Sequence, residues 1–90
     1  MPKFVIERAL PGAGSMTAGD VHTVAARSNE VLAGMAPRAQ WVTSYVTNDK
    51  VYCVYLAENE GALREHADRV GVPISAVNEV TSVLDPTTGE

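Results

Sequence analysis

The 90-residue chain is poor in residues that carry metal or redox chemistry, with one Cys and two His, and in large aromatics, with one Trp and one Phe. A single cysteine excludes an internal disulfide framework and any all-thiolate zinc or iron–sulfur centre within one chain. Basic residues are also scarce: 7 Lys+Arg stand against 11 Asp+Glu, a net charge of −4 with the histidines neutral. That balance argues against nonspecific nucleic-acid binding, which needs a basic face. No apolar run approaches the roughly 18 residues of a membrane span, and Met1 to Glu7 lacks the apolar stretch of a signal peptide. The expectation is a cytoplasmic protein with neither a nucleic-acid nor a membrane partner. No G-x-G-x-x-G, Walker lysine loop, H-E-x-x-H or nucleophile elbow occurs, so no residue is assigned a catalytic role.

What is present is enough for one core. Hydrophobic residues make up 46% of the chain, too many for a disordered segment. The length suits one domain over residues 1–90, with 86–90, polar and behind Pro86, expected to be a loose tail. Lys3 to Arg8 reads as a short strand, and Pro11-Gly12-Ala13-Gly14 breaks the chain. Thr17 and Asp20 have the spacing of a helix start. Val21, Val24, Ala25, Ser28, Val31, Leu32 and Met35 recur at helical steps, an apolar stripe interrupted only by Ser28. Gln40 to Thr47 and Lys50 to Ala57 read as strands of a hairpin turning at Asn48-Asp49, residue types that tolerate positive φ. Asn59 caps a second helix with Leu63, His66, Ala67 and Val70 on its inner stripe, ended by Gly71 and Pro73. Val77 to Leu84 reads as the last strand.

The order β-α-β-β-α-β predicts an α+β, ferredoxin-like fold: a four-stranded antiparallel sheet with two helices on one face, and room for a short extra strand. The other sheet face stays bare, which predicts a homodimer. A two-residue turn at Asn48-Asp49 places Val42, Ser44, Val46, Val51, Cys53 and Tyr55 on one face of the hairpin. Trp41, Thr43, Tyr45, Tyr52, Val54 and Leu56 then share the other face. The first, smaller set is expected to meet the helices.

His66 is the most informative residue, because it sits on an apolar stripe and should point at the sheet near Cys53, Tyr55 and Ser44. It reads either as a core histidine bonded to a Tyr or Ser hydroxyl, or as a metal or small-ligand group, since imidazole and thiolate bind transition metals. Cys53 reads as a small buried hydrophobe or as a thiolate ligand. His22, off the main stripe, is a solvated histidine or a surface metal ligand. The charges of the second helix read as a solvated face with the pairs Arg64/Asp68 and Glu65/Arg69. Glu7 on the first strand needs a partner, an edge or a cavity.

Three segments carry a resemblance when taken together. Phe4-Val5-Ile6-Glu7-Arg8 precedes Leu10-Pro11-Gly12; Gln40-Trp41-Val42 accompanies Ser44-Tyr45-Val46 and Tyr52-Cys53-Val54-Tyr55; Arg64-Glu65-His66-Ala67 precedes Gly71 and Pro73. The combination resembles a family of small bacterial ferredoxin-like proteins with a nickel-binding member, from Pro2 to about Thr87. The resemblance implies a dimer that binds nickel at its surface, for sequestration, and His66, Tyr45, Cys53 and Tyr55 match the family's recurring pattern. The candidate metal ligands are His66 and Cys53 together with His22 and Glu7, which the residues themselves offer for a surface site. The alternative is a small-molecule-binding protein or enzyme with a pocket between sheet and helices, centred on His66 and completed by Tyr55, Ser44 and Tyr45.

Overall fold

Phe4, Ile6 and Arg8 alternate inward along the first strand, and this alternation orients the whole sheet. The computed structural model describes residues 1–90. β1 (Lys3–Ala9) is followed by α1 (Ala18–Ala33), β2 (Ala39–Val46), β3 (Lys50–Ala57), α2 (Glu60–Val70) and β4 (Ala76–Glu79). The sheet order is β2-β3-β1-β4, with every pairing antiparallel. This is the expected ferredoxin-like arrangement.

Both helix starts follow from side-chain chemistry. Thr17 caps α1 in a reciprocal capping box with Asp20, and Asn59 caps α2 by accepting from the Ala62 amide. Gly71 ends α2 at φ 84°, a left-handed conformation that favours glycine. Arg27 of α1 donates to the carbonyls of Arg69 and Val70, tying the first helix to the end of the second. The core joins Phe4, Ile6, Cys53 and Tyr55 of the sheet to Leu63 of α2, closed at one end by Ala39 and Ala57.

Four expectations need correction. First, β2 carries a bulge between Trp41 and Thr43: Thr43 pairs with Val54, but Trp41 pairs with Tyr55, leaving Val42 as the extra residue. Trp41 therefore joins the helix-facing side, and Val42 is exposed. Second, the hairpin register at the turn is as expected, with Val46 opposite Val51, but neither Asn48 nor Asp49 has positive φ. The preceding loop holds the turn instead: Leu10 and Gly14 amides donate to the carbonyls of Asp49 and Asn48. A side chain at Gly14 would press to 2.8 Å from the Asn48 Cα, so this close approach requires glycine.

Third, β4 stops at Glu79 rather than running to Leu84, because its partner β1 begins at Lys3. The Val80 amide donates to the Lys3 carbonyl, and Pro2 beyond it has no N–H to offer. Fourth, Arg64 pairs with Glu60 rather than Asp68, while Glu65–Arg69 forms as expected. Glu65 also meets Arg38 through two hydrogen bonds of 2.8 and 3.0 Å. Residues Pro86–Gly89 of the exposed tail form a 3-10 turn capped by Asp85.

Candidate functional site

The helix-facing side of the sheet is organised in rows. Val46, Val51 and Arg8 form one row, Ser44, Cys53, Ile6 and Val77 the next, and Trp41, Tyr55 and Phe4 a third. α2 packs closely over these rows, burying Ala62, Leu63, His66 and Ala67. α1 does not close over them. Val21 and Val24 of its apolar stripe stay 43% and 44% exposed, and only Ser28 of that helix is buried. Beneath α1 lies a cavity of about 340 Å³. Its walls are mostly apolar, drawn from Met16, Val21 and Val24 on one side and Trp41, Val46 and Val51 on the other. Its polar groups are Arg8, Ser28, Ser44, Tyr55 and His66, with the Cys53 thiol beside them.

His66 lies at the inner end of the cavity, 1% exposed. Its Nε2 lies 3.1 Å from the Ser28 hydroxyl, a bond whose donor depends on the tautomer. Its Nδ1 is buried and has no partner. The ring sits 5.5 Å from that of Tyr55, tilted by 58°. Burial pushes the His66 pKa below the ordinary imidazole value, and the Arg8 charge adds to the shift, while Ser28 opposes it. The imidazole is therefore neutral at pH 7 and offers a lone pair together with an N–H. Burial and the nearby Cys53 push the Tyr55 phenol above its ordinary value, against a smaller pull from Arg8 and Ser28.

Arg8 is 4% exposed. Its Nη1 donates to the Val72 carbonyl at 2.8 Å. Every ion pair of the protein lies elsewhere, in Arg38–Glu65, Lys50–Glu7, Arg64–Glu60 and Arg69–Glu65. Trp41 donates from its indole Nε1 to the Ser44 hydroxyl at 2.9 Å, which fixes the ring in the cavity wall. A more open depression of about 480 Å³ lies beyond α2, between Arg64 and Ile74, and contains no His, Cys or Tyr.

The predicted residues separate into two groups. His66, Tyr55, Ser44 and Cys53 come together around the cavity. Tyr45 does not: it pairs with Tyr52 and Glu7 in a row on the opposite sheet face and is 63% exposed. Glu7, on that same face, is engaged by Lys50 at 2.6 Å. His22 is exposed on α1. The four candidate metal ligands therefore do not converge, and no three His, Cys, Asp or Glu side chains form a group that could hold a metal ion. A metal centre does not fit the residues of one chain.

Two site residues escaped the sequence reading. Ser28 read as a break in an apolar stripe, and the break is the partner of His66. Arg8 read as the end of the first strand, although the alternation Phe4, Ile6, Arg8 already placed it inward.

A family model described as the nickel responsive protein SCO4226-like family matches residues 4–80. The chain belongs to that family. The crystal structure of SCO4226 from Streptomyces coelicolor A3(2) has the same fold, with a TM-score of 0.75 at 15% identity, over 91% of this chain and 99% of that one. No curated protein sequence matches the chain. No helix of this family member is long and apolar enough to cross a membrane.

Proposed function

We propose that this protein binds a small amphipathic molecule in the cavity under α1, with His66, Ser28 and Tyr55 as its polar end. The observation that supports this reading is the cavity itself: about 340 Å³, mostly apolar, with polar groups gathered around a neutral buried imidazole. Ligand pockets have this composition and run from about 300 to 1,000 Å³. Trp41, the only tryptophan, stands in the wall and reports on occupancy. Phenylbutanol, phenylbutyrate and phenylbutylamine serve as probes, sharing an apolar body and differing in charge. At least one should change Trp41 emission saturably, and Ala25→Phe, which fills the cavity, should abolish that response. A flat titration with all three sinks the reading.

Membership of a nickel-responsive family favours a second reading: a cytoplasmic nickel-binding dimer that sequesters the metal. The donors of one chain do not group, so nickel on this reading is held between copies. The copies would meet through the open sheet face, where Val5, Tyr52, Val54 and Leu56 are half-buried beside exposed Tyr45 and no element covers them. Light scattering should give twice the chain mass, and Tyr45→Glu should reduce it to one. Calorimetry with nickel on tag-free protein tests the metal itself. A Kd weaker than about 1 mM rejects nickel binding, and an isotherm unchanged in His66→Ala removes His66 from the ligand set.

A further inference from the structure

We infer that the ligand of the α1 cavity is an anion, a monocarboxylate with an apolar body, and that Arg8 is the residue that selects it. This rests on the small-molecule reading above and names the chemical class the site would take. A guanidinium cannot lose its proton at any ordinary pH. Burying one without a counter-charge costs several kcal/mol, so buried arginines are normally paired. Arg8 is 4% exposed, and it donates to a neutral backbone carbonyl, that of Val72, with no counter-charge beside it. The protein carries 11 carboxylate side chains, yet none lines the cavity, and Arg8 is the only formal charge among its 16 lining residues. An acidic protein thus encloses a cavity of positive sign. Within the chain the guanidinium meets only neutral groups, the Val72 carbonyl and the Tyr55 phenol, and no carboxylate.

The remaining groups narrow the class. The planar fork of arginine matches a carboxylate bidentately. No lysine and no second arginine lines the cavity, so a doubly charged phosphate would be left under-compensated. The Tyr55 phenol, held protonated by its burial, and the neutral His66 ring add hydrogen-bonding capacity without another charge. Val21, Val24, Trp41 and Val46 form an apolar sleeve for the rest of the molecule. At about 340 Å³ the space is at the small end of the ligand-pocket range, which suits a short aliphatic or single-ring acid.

The test compares phenylbutyrate, phenylbutanol and phenylbutylamine by Trp41 emission and calorimetry. Charge-assisted hydrogen bonds contribute about 1.5–3 kcal/mol, or roughly 10- to 150-fold in affinity. Phenylbutyrate should therefore bind at least about tenfold tighter than the alcohol, with the amine weakest. In Arg8→Met the acid should lose that advantage while the alcohol binds as before. Arg8→Lys keeps the charge without the fork and should retain part of the preference, which guards against Arg8→Met failing to fold. Equal binding of acid and alcohol to the wild-type protein overturns the anion inference and leaves the cavity reading standing. Tightest binding by the amine does the same, whereas no binding by any probe overturns both.

Discussion

Ser28 of α1 and His66 of α2 meet in the interior, hydroxyl oxygen to imidazole Nε2 at 3.1 Å, and are the only buried polar side chains of the two helices. Their contact fixes the ring at the end of the cavity and joins the helices at a point where apolar packing is incomplete. Removing the hydroxyl leaves both ring nitrogens without partners. Ser28→Ala should cost about 1–3 kcal/mol, the penalty for an unsatisfied buried polar group. The double variant Ser28→Ala/His66→Leu should cost less than the two single changes added together, since neither partner is then stranded. Urea denaturation of the four proteins measures the coupling, and strict additivity would show that the contact contributes nothing.

The lowered pKa of His66 makes stability depend on pH. The unfolded chain protonates this imidazole near its ordinary value of about 6.5, but burial and Arg8 hold the folded value lower. Between those two values the unfolded state binds the extra proton, so stability rises with pH. The contribution is complete above about pH 6.5 and is lost as pH falls toward the folded value. The groups around the ring are Arg8, Ser28, Tyr55 and Cys53, and burial moves the Tyr55 phenol upward, away from that window. Glu65, held down by Arg38, and Asp85, held down by its contacts with Thr87 and Thr88, act only lower, in the carboxylate range. Denaturation midpoints from about pH 5.5 to 7.5, one unit either side of the ordinary imidazole value, should slope below that value in the wild type and flatten in His66→Gln. An equal slope in both would assign the effect to other groups.

The bulge makes an unusual prediction about Val42. With Trp41 opposite Tyr55 and Thr43 opposite Val54, deleting Val42 restores a regular ladder and leaves Trp41 on the helix side. The deletion variant should fold with near-native tryptophan emission. An unbulged strand would instead carry Trp41 across the sheet on deletion, and a large emission shift would reveal it.

Two glycines should respond differently to alanine. Gly71 has φ 84° and open space around its missing side chain, so Gly71→Ala should cost only the backbone term of about 1–2 kcal/mol. Gly71→Asn should recover part of that, because asparagine visits the left-handed region. Gly14→Ala meets the Asn48 backbone and must move the hairpin turn away from the loop. Thermal melts should rank Gly14→Ala as the worse of the two, and the reverse order would show that the loop yields freely.

The local signals in the sequence were sufficient for the element order. Capping residues at Thr17 and Asn59 and period-two alternation along β1 act over a few residues, and each did so here, while the turn at Asn48-Asp49 fell where expected but is held by the distant loop around Gly14. The placement of His66, Cys53, Ser44 and Tyr55 around one space followed from the helix stripe, the hairpin register and the choice of the smaller side-chain set as the helix-facing one. The hairpin register already set Tyr45 on the face opposite Cys53, Glu7 joins it there by pairing with Tyr52, and His22 lies off the apolar stripe of α1 on its exposed side.

By itself, then, the sequence determined the β-α-β-β-α-β order, the hairpin register at its turn and the inward direction of His66, all consequences of short-range sterics and periodicity. The tertiary structure alone decided the rest. The bulge at Val42 depends on how β2 meets β3, and it turns Trp41 into the cavity wall. The partnership of Ser28 with His66 spans 38 residues, beyond the reach of any local pattern. The isolation of Arg8 depends on where every carboxylate of the chain ends up, so only the folded arrangement could reveal a cationic cavity inside an acidic protein.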